Sequence, residues 1–169
     1  MSTGSGKNTL ITALLLVVTL AITLQALPEI VHQTLRYDRE SIASGAWYRL
    51  LSGHFLHLGW IHLVLNLAGL ALVMQLFWEY WTLPRWLSAL VLSLITVNLG
   101  LWLITDSVRW YVGLSGVLHG LLICGAMLAY PRERGFALIV MVILIGKLCW
   151  EQITRSDTGT AELIGGQVL

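Results

Sequence analysis

Charge is the property that this sequence has least of. Only 11% of its 169 residues are Asp, Glu, Lys or Arg, while 57% are hydrophobic and the mean hydropathy is +0.78. Ordinary soluble domains carry about 25% charged residues. The net charge of +1 also provides no basic patch that would hold nucleic-acid phosphates. The composition therefore excludes a soluble globular domain, a disordered chain and a nucleic-acid-binding protein.

Cysteine clusters and strong metal-ligand patterns are also missing. The two cysteines lie inside apolar stretches, so the sequence indicates no disulfide framework and no C-x-x-C site. We expect no metal and no cofactor. Two competing interpretations stay open: a metal at His54-x-x-His57, which lacks an evident third ligand, and a haem held between His62 and His119.

Long hydrophobic runs take the place of charge. A membrane-spanning helix needs about 20 predominantly apolar residues, and five such runs follow one another with mostly short polar turns between them. We predict an all-α polytopic membrane helical bundle, a single domain over 1–169, in contact with the lipid bilayer. The predicted spans cover residues 10–27, 58–78, 86–105, 115–130 and 136–150.

Two polar segments and the basic residues complete the predicted topology. The first loop, 28–57, mixes charges with aromatic side chains and is expected to fold at the membrane interface. Residues 151–169 are typical of a loop leading into another helix, so we expect a sixth span after residue 169 that is missing from this chain. We predict a cytoplasmic N-terminus, although the positive-inside rule discriminates weakly here, because five arginines, most of them in the first loop, then lie on the opposite side. The basic residues then facing the cytoplasm are Lys7, Arg85, Arg132 and Arg134.

Polar side chains collect at the start of the second and fourth predicted spans. Such groups are costly inside a membrane and are functional candidates for that reason. The two spans run in the same direction, so both starts lie at the same membrane face. His62 and Asn66 share one face of the second span, and Ser115 opens the fourth after a glycine-containing turn. A hydroxyl near free helix N–H groups and two side-chain donors is what acyl transfer requires.

Several short motifs in these two spans match those of a known family. They are Gly113-Leu-Ser115-Gly116 in the fourth span, and His57, His62 and Asn66 at the start of the second. At these residues the chain resembles the rhomboid family of intramembrane serine proteases. The longer form Gly-Leu-Ser-Gly-Val-Leu-His-Gly is similar to the bacterial rhombosortase branch.

The resemblance implies a six-helix core that hydrolyses a peptide bond near the outer membrane–water boundary. Ser115 matches the nucleophile, and His62 and Asn66 match the side chains of the oxyanion hole. Gly113 is assigned to the same oxyanion-stabilising group. For the rhombosortase branch, the implied substrates are membrane-anchored exported proteins. Their C-terminal tail carries a Gly-Gly pair, a hydrophobic span and a basic end. The implied location is the bacterial inner membrane.

The sequence departs from the family pattern at the catalytic histidine, which the family carries on its sixth span. No His follows His119, and Glu162 stands where the Ala-His-x-x-Gly context would place the base. We expect that His beyond residue 169. The alternative is a catalytically inactive rhomboid-like protein that binds client membrane helices. His119 and His57 are assigned supporting roles, since His119 follows Ser115 by one helical turn and is awkwardly placed as its base.

The same residues also have purely structural interpretations. Ser115 suits a helix N-cap, the commonest role for Ser in such a turn. Gly116-x-x-x-Gly120 suits a close-packing face between membrane helices. The coincidence of Ser115 with His62 and Asn66 at one membrane face favours catalysis over both.

Overall fold

The computed structural model describes residues 4–104 and 108–154, and it is helical almost throughout. The position of Glu162, and most of the predicted closing loop, lie outside the described residues. In chain order the helices are α1 Gly4–Gln25, α2 Glu29–Leu35, α3 Arg39–Ala43, α4 Arg49–Ser52, α5 Trp60–Leu76, α6 Leu83–Leu103, α7 Ser115–Ala129 and α8 Arg134–Thr154. The all-α membrane bundle that the hydropathy predicts is confirmed.

Each of the five predicted spans contains one long helix, with its ends moved by a few residues. The largest shift is in α1, which begins at Gly4 rather than residue 10. Its polar first turn is held because the Lys7 ammonium donates to the carbonyl of Trp81 at 3.0 Å and to that of Trp78. In the described part of the chain, α1 and α6 have the length and hydropathy of membrane-spanning helices. The helix α5 follows residues 49–55 across a bend of 92°.

The helix α7 lies at the centre of the bundle and packs against α5, α6 and α8. Glycines on α7 allow this close packing. A Cβ at Gly120 would lie 2.2 Å from Oγ of Ser93 on α6, and one at Gly125 would lie 2.4 Å from the Phe77 ring. Small residues let membrane helices approach closely, because little hydrophobic force drives them together within lipid. Large apolar side chains on the outer helix faces are exposed, as a lipid-facing surface requires.

The first loop folds as three short helices and a 3-10 turn, Gly53–Phe55, and is fastened to the bundle. The Arg39 guanidinium donates to the carbonyls of Leu101 and Trp102 at the end of α6, both at 2.9 Å. Asn98 of α6 donates to the Leu50 carbonyl at 2.9 Å. These bonds satisfy carbonyls that a helix end leaves free. They also hold the first loop at the end of the bundle where α7 begins.

The described chain also contains a two-residue antiparallel ladder, which the all-α prediction did not include. The strand β1, Tyr37–Asp38, pairs with β2, Trp110–Tyr111. Two residues carry no periodicity, so the sequence contains no strand signal at either place. The ladder joins the first loop to the segment that leads into α7.

Candidate active site

Ser115 is the first residue of α7, and its side chain is exposed. The turn before it is anchored, since the Gly113 N–H donates to the Gly53 carbonyl at 3.1 Å. Gly113 has φ +117°, a conformation that glycine adopts readily and other residues rarely do. The hydroxyl therefore leaves a fixed turn at a helix N-terminus, where free N–H groups and the helix dipole favour an anion.

Tyr111 holds that turn from both sides. Its phenol donates to the Gly113 carbonyl at 2.8 Å and accepts from the Gly116 N–H at 3.4 Å. Burial raises the pKa of Tyr111, although a hydrogen bond with the Ser115 side chain acts against this, so the phenol keeps its proton at neutral pH. Sequence patterns do not single out Tyr111, because an aromatic side chain two positions before a glycine carries no signal of its own.

The His62 imidazole packs directly against the turn. A Cβ at Gly113 would lie 2.9 Å from Cε1 and 3.0 Å from Nε2 of His62. The Leu58 N–H donates to Nδ1 of the same ring at 3.3 Å. A nitrogen that accepts a hydrogen bond carries no proton, so this bond assigns the proton of the neutral ring to Nε2. His62 therefore presents an N–H donor toward the turn before Ser115.

Asn66 lies one helical turn further along α5 and is almost completely buried, with 4% of its surface exposed. Its Nδ2 donates to the His62 carbonyl at 2.9 Å, which fixes the plane of the amide. An amide nitrogen carries two protons, so one N–H remains for another acceptor. The spacing of four residues brings Asn66 and His62 to one helix face, as the sequence predicts.

Two further histidines are buried behind the turn. The His57 ring stands edge-on to that of His62, with centroids 5.0 Å apart, and the His54 ring stands edge-on to Tyr111 at 5.5 Å. Asn98 and the backbone of Gly113 interact with His54, and the backbone of Phe55 interacts with His57. His57 thus contacts the candidate donor itself.

His119 has both of its ring nitrogens engaged. Nδ1 lies 2.6 Å from the Ser115 carbonyl, and Nε2 lies 3.3 Å from Nζ of Lys147 on α8. A carbonyl only accepts, so Nδ1 carries the proton and Nε2 accepts from the Lys147 ammonium. Lys147 thereby ties α8 to α7 one turn below Ser115.

Comparison with known proteins shows the family of this chain. A family model described as the Rhomboid domain matches residues 44–164, which include Ser115, His62 and Asn66. The chain belongs to the rhomboid family. It is 28% identical over 134 residues to the Rhomboid-like protease 5 of Toxoplasma gondii, covering 72% of this chain and 16% of that protein. This rhomboid chain thus spans about a sixth of the curated relative it matches. No solved structure matches it.

The geometry of the rhomboid site gives no support to the haem and metal alternatives. The nitrogens of His119 are committed to a carbonyl and an ammonium, and Nδ1 of His62 is committed to the Leu58 N–H. Among the described residues, no three His, Cys, Asp or Glu side chains are grouped so that they could hold a metal ion.

Proposed function

We propose that this rhomboid protein is a serine endopeptidase that hydrolyses a peptide bond within the membrane, with Ser115 as the nucleophile. Oγ of Ser115 attacks the scissile carbonyl carbon, its proton passes to a base, and a tetrahedral oxyanion forms. The oxyanion then collapses, the scissile C–N bond breaks, and the base returns its proton to the departing amine, which leaves an acyl-enzyme. Water hydrolyses this ester, releases the carboxylate product and restores the hydroxyl. The observation that carries this proposal is the contact between the His62 ring and Gly113, because it brings a neutral N–H donor beside the turn that carries Ser115.

Three donors are proposed to stabilise the oxyanion. They are the Nε2–H of His62, the second amide N–H of Asn66 and the backbone N–H of Ser115, and Gly113 provides the room for them to converge. Donors fixed before the reaction stabilise charge that develops in the transition state without reorganising. The hydrogen bonds of Leu58 to His62 and of Asn66 to the His62 carbonyl support such fixed positions.

The proton acceptor is proposed to be a histidine outside the described residues, on a sixth helix following residue 169. His119 is poorly suited to this task, because its Nδ1 proton bonds to the Ser115 carbonyl and its Nε2 lone pair accepts from Lys147. We propose that His119 and His57 instead support the site, His119 by linking α7 to α8 and His57 through its contact with His62.

The length of α7 supports access of water to Ser115. Its 15 residues span about 22 Å, at 1.5 Å a residue, whereas the hydrocarbon core of a bilayer is about 30 Å thick. If the charged turn at Arg132 and Arg134 lies at one interface, Ser115 starts several ångströms inside the other. The first loop approaches that point, since His54 contacts Tyr111 and His57 contacts His62. Irregular backbone at such depth is tolerated where it lines a water-filled cavity.

The substrates are proposed to be membrane-anchored exported proteins, cut near the outer membrane–water boundary in C-terminal tails with a Gly-Gly pair, a hydrophobic span and a basic end. The likeness of residues 113–120 to the rhombosortase branch supports this substrate class. The same likeness supports a bacterial inner-membrane location, and the proposed cytoplasmic N-terminus rests on the distribution of basic residues outside the first loop. The matched relative is named a protease, and its name is silent on such tails.

Cleavage of a reporter protein that carries such a tail tests the proposed function. We expect the wild-type protein to release the reporter from membranes and Ser115→Ala to abolish release at equal membrane abundance. Ser44→Ala, which removes an exposed hydroxyl from the first loop, is the matched control and should leave release unchanged. Equal release by wild type and Ser115→Ala would refute Ser115 as the nucleophile.

A second candidate function is the inactive rhomboid-like protein that binds client membrane helices. One observation favours it: within the described residues, the histidine nearest to Ser115 along α7 has no ring nitrogen left to act as its base. Reporter that co-purifies with the protein uncut would support this second function. Released reporter supports the protease.

A further inference from the structure

A polar cavity of about 110 Å³ lies beside the candidate active site, between the first loop and the segment that leads into α7. Residues around it include Glu29, His32, Arg36, His57, Trp110 and Val112. Pockets for cofactors and drug-sized ligands measure about 300–1,000 Å³. This cavity is too small for a haem or a nucleotide and has the size for a single amino-acid side chain.

Arg36 is the cationic group of this cavity. The carboxylate of Asp38 interacts with its charge and accepts a hydrogen bond from the Ser41 N–H. The Nε of Arg36 is buried without a hydrogen-bond partner among the described residues, and its guanidinium lies over the Trp110 ring at 5.2 Å. A guanidinium stacked on an aromatic face still presents its in-plane N–H donors, which match a carboxylate in two-pronged geometry. The arginine side chains of the first loop at 39 and 49 already donate to backbone carbonyls.

The backbone of Arg36 is held in place before any ligand binds. Its N–H donates to the His32 carbonyl at 2.9 Å, and its own carbonyl accepts from the Arg49 guanidinium at 3.0 Å. Of the other ionisable groups at the cavity, His32 is tied to the Leu24 carbonyl at 2.8 Å. Glu29 is exposed at the rim, where water screens its charge more than it screens the partly buried guanidinium.

The cavity adjoins the proposed oxyanion site. His57 contributes to its wall, and the ring of His57 contacts that of His62. Val112, also in the wall, directly precedes Gly113. An extended peptide advances about 3.3–3.6 Å per residue. A substrate held at Ser115 therefore needs only a few residues to bring one of its side chains into the cavity.

We propose that this cavity is a specificity subsite that holds an acidic side chain of the substrate, with the carboxylate bound by the Arg36 guanidinium. The proposal rests on the proposed function, since it assumes a peptide bound at Ser115. It adds a requirement to the Gly-Gly tail: the substrate must also carry an Asp or Glu within a few residues of the scissile bond.

The test uses reporters that differ only by Glu, Gln or Lys at single positions within five residues of the scissile bond. Cleavage is measured with the wild-type background and binding with the Ser115→Ala background, both in phosphatidylcholine nanodiscs. At one position we expect Glu to be preferred over Gln by about tenfold in KM or Kd, the size of one charge-assisted hydrogen bond. Arg36→Glu should reverse the preference to Lys, and Arg36→Lys should weaken it without reversing it.

Arg109→Gln is the matched control, because Arg109 is an outer-face cation that is 81% exposed and paired with Glu40 at 3.7 Å. It should change no preference. The subsite is refuted if no position distinguishes Glu from Lys, or if Arg36→Glu weakens every reporter equally. A preference that vanishes when phosphatidylglycerol is added would assign the guanidinium to lipid phosphate instead. Charge-dependent binding without any cleavage would keep the subsite and refute the proposed function.

Discussion

Replacing Gly113 by alanine perturbs the turn that brings His62 to Ser115. Two costs follow from the structure. A non-glycine residue at φ +117° carries backbone strain of about 1–3 kcal/mol. The new methyl group would also lie 2.9 Å from Cε1 and 3.0 Å from Nε2 of the imidazole, whereas carbon atoms pack at about 3.5–4.0 Å. The ring must therefore retreat by roughly 0.5–1 Å.

That retreat is expected to affect catalysis more than stability. Loss of one oxyanion donor lowers kcat by about 10²–10³-fold, and a displaced Nε2–H is a lost or weakened donor. We expect Gly113→Ala to reduce reporter cleavage about 100-fold while remaining folded in the membrane. Cleavage rate and thermal unfolding of the purified protein in nanodiscs are the two measurements.

Gly45→Ala is the control variant, because it introduces backbone strain of the same kind without a contact with the His62 ring. Gly45 has φ +104°, and a Cβ there would meet nothing within 4 Å. It should lose similar stability to Gly113→Ala and keep its cleavage rate. Wild-type activity in Gly113→Ala would show that the His62 donor takes no part in the reaction. Equal loss of activity in both variants would attribute the effect to backbone strain alone.

Three further substitutions test other parts of the structure. Tyr111→Phe leaves a carbonyl and an N–H beside the nucleophile without their phenol partner and should cost about 1–3 kcal/mol of unfolding free energy; an unchanged Tm would contradict this. Gly120→Ala overlaps Ser93 and should cost about 1–3 kcal/mol, while Gly146→Ala, with open space around it, should be near neutral in the same melt. A hydrogen bond from Ser41, at the start of α3, lowers the pKa of Asp38, so the ionised carboxylate stabilises the fold at neutral pH. That stability is lost as the pH falls below about 4, and Asp38→Asn should flatten this part of the Tm-against-pH curve.

The bundle and the residues of the candidate site follow from local sequence patterns. Five apolar runs of suitable length predict five helices, and parity alone predicts that the starts of α5 and α7 share a membrane face. The spacing of His62 and Asn66 predicts one helix face. Each of these inferences uses residues that are close in sequence, or a count of membrane crossings, so none of them depends on knowing the tertiary contacts.

Other features depend on contacts between segments that are distant in sequence. Tyr111 bonds the turn only because β2 pairs with the first loop, and a two-residue ladder has no periodicity to detect. The hydrogen bond at Nε2 of His119 depends on Lys147, which lies on a different helix. The early start of α1 depends on Lys7, which donates to two carbonyls in the turn between α5 and α6. Hydropathy and spacing contain no information on these pairs.

Labelling with a fluorophosphonate probe tests the central claim most directly, because such a probe reacts with an activated serine and spares an ordinary one. We expect the wild-type protein in its native membrane to be labelled at Ser115, as mapped by mass spectrometry. Ser115→Ala should lose the label and Ser44→Ala should keep it. Absence of labelling in the folded wild-type protein, or labelling that survives Ser115→Ala, would contradict the assignment of Ser115 as an activated nucleophile.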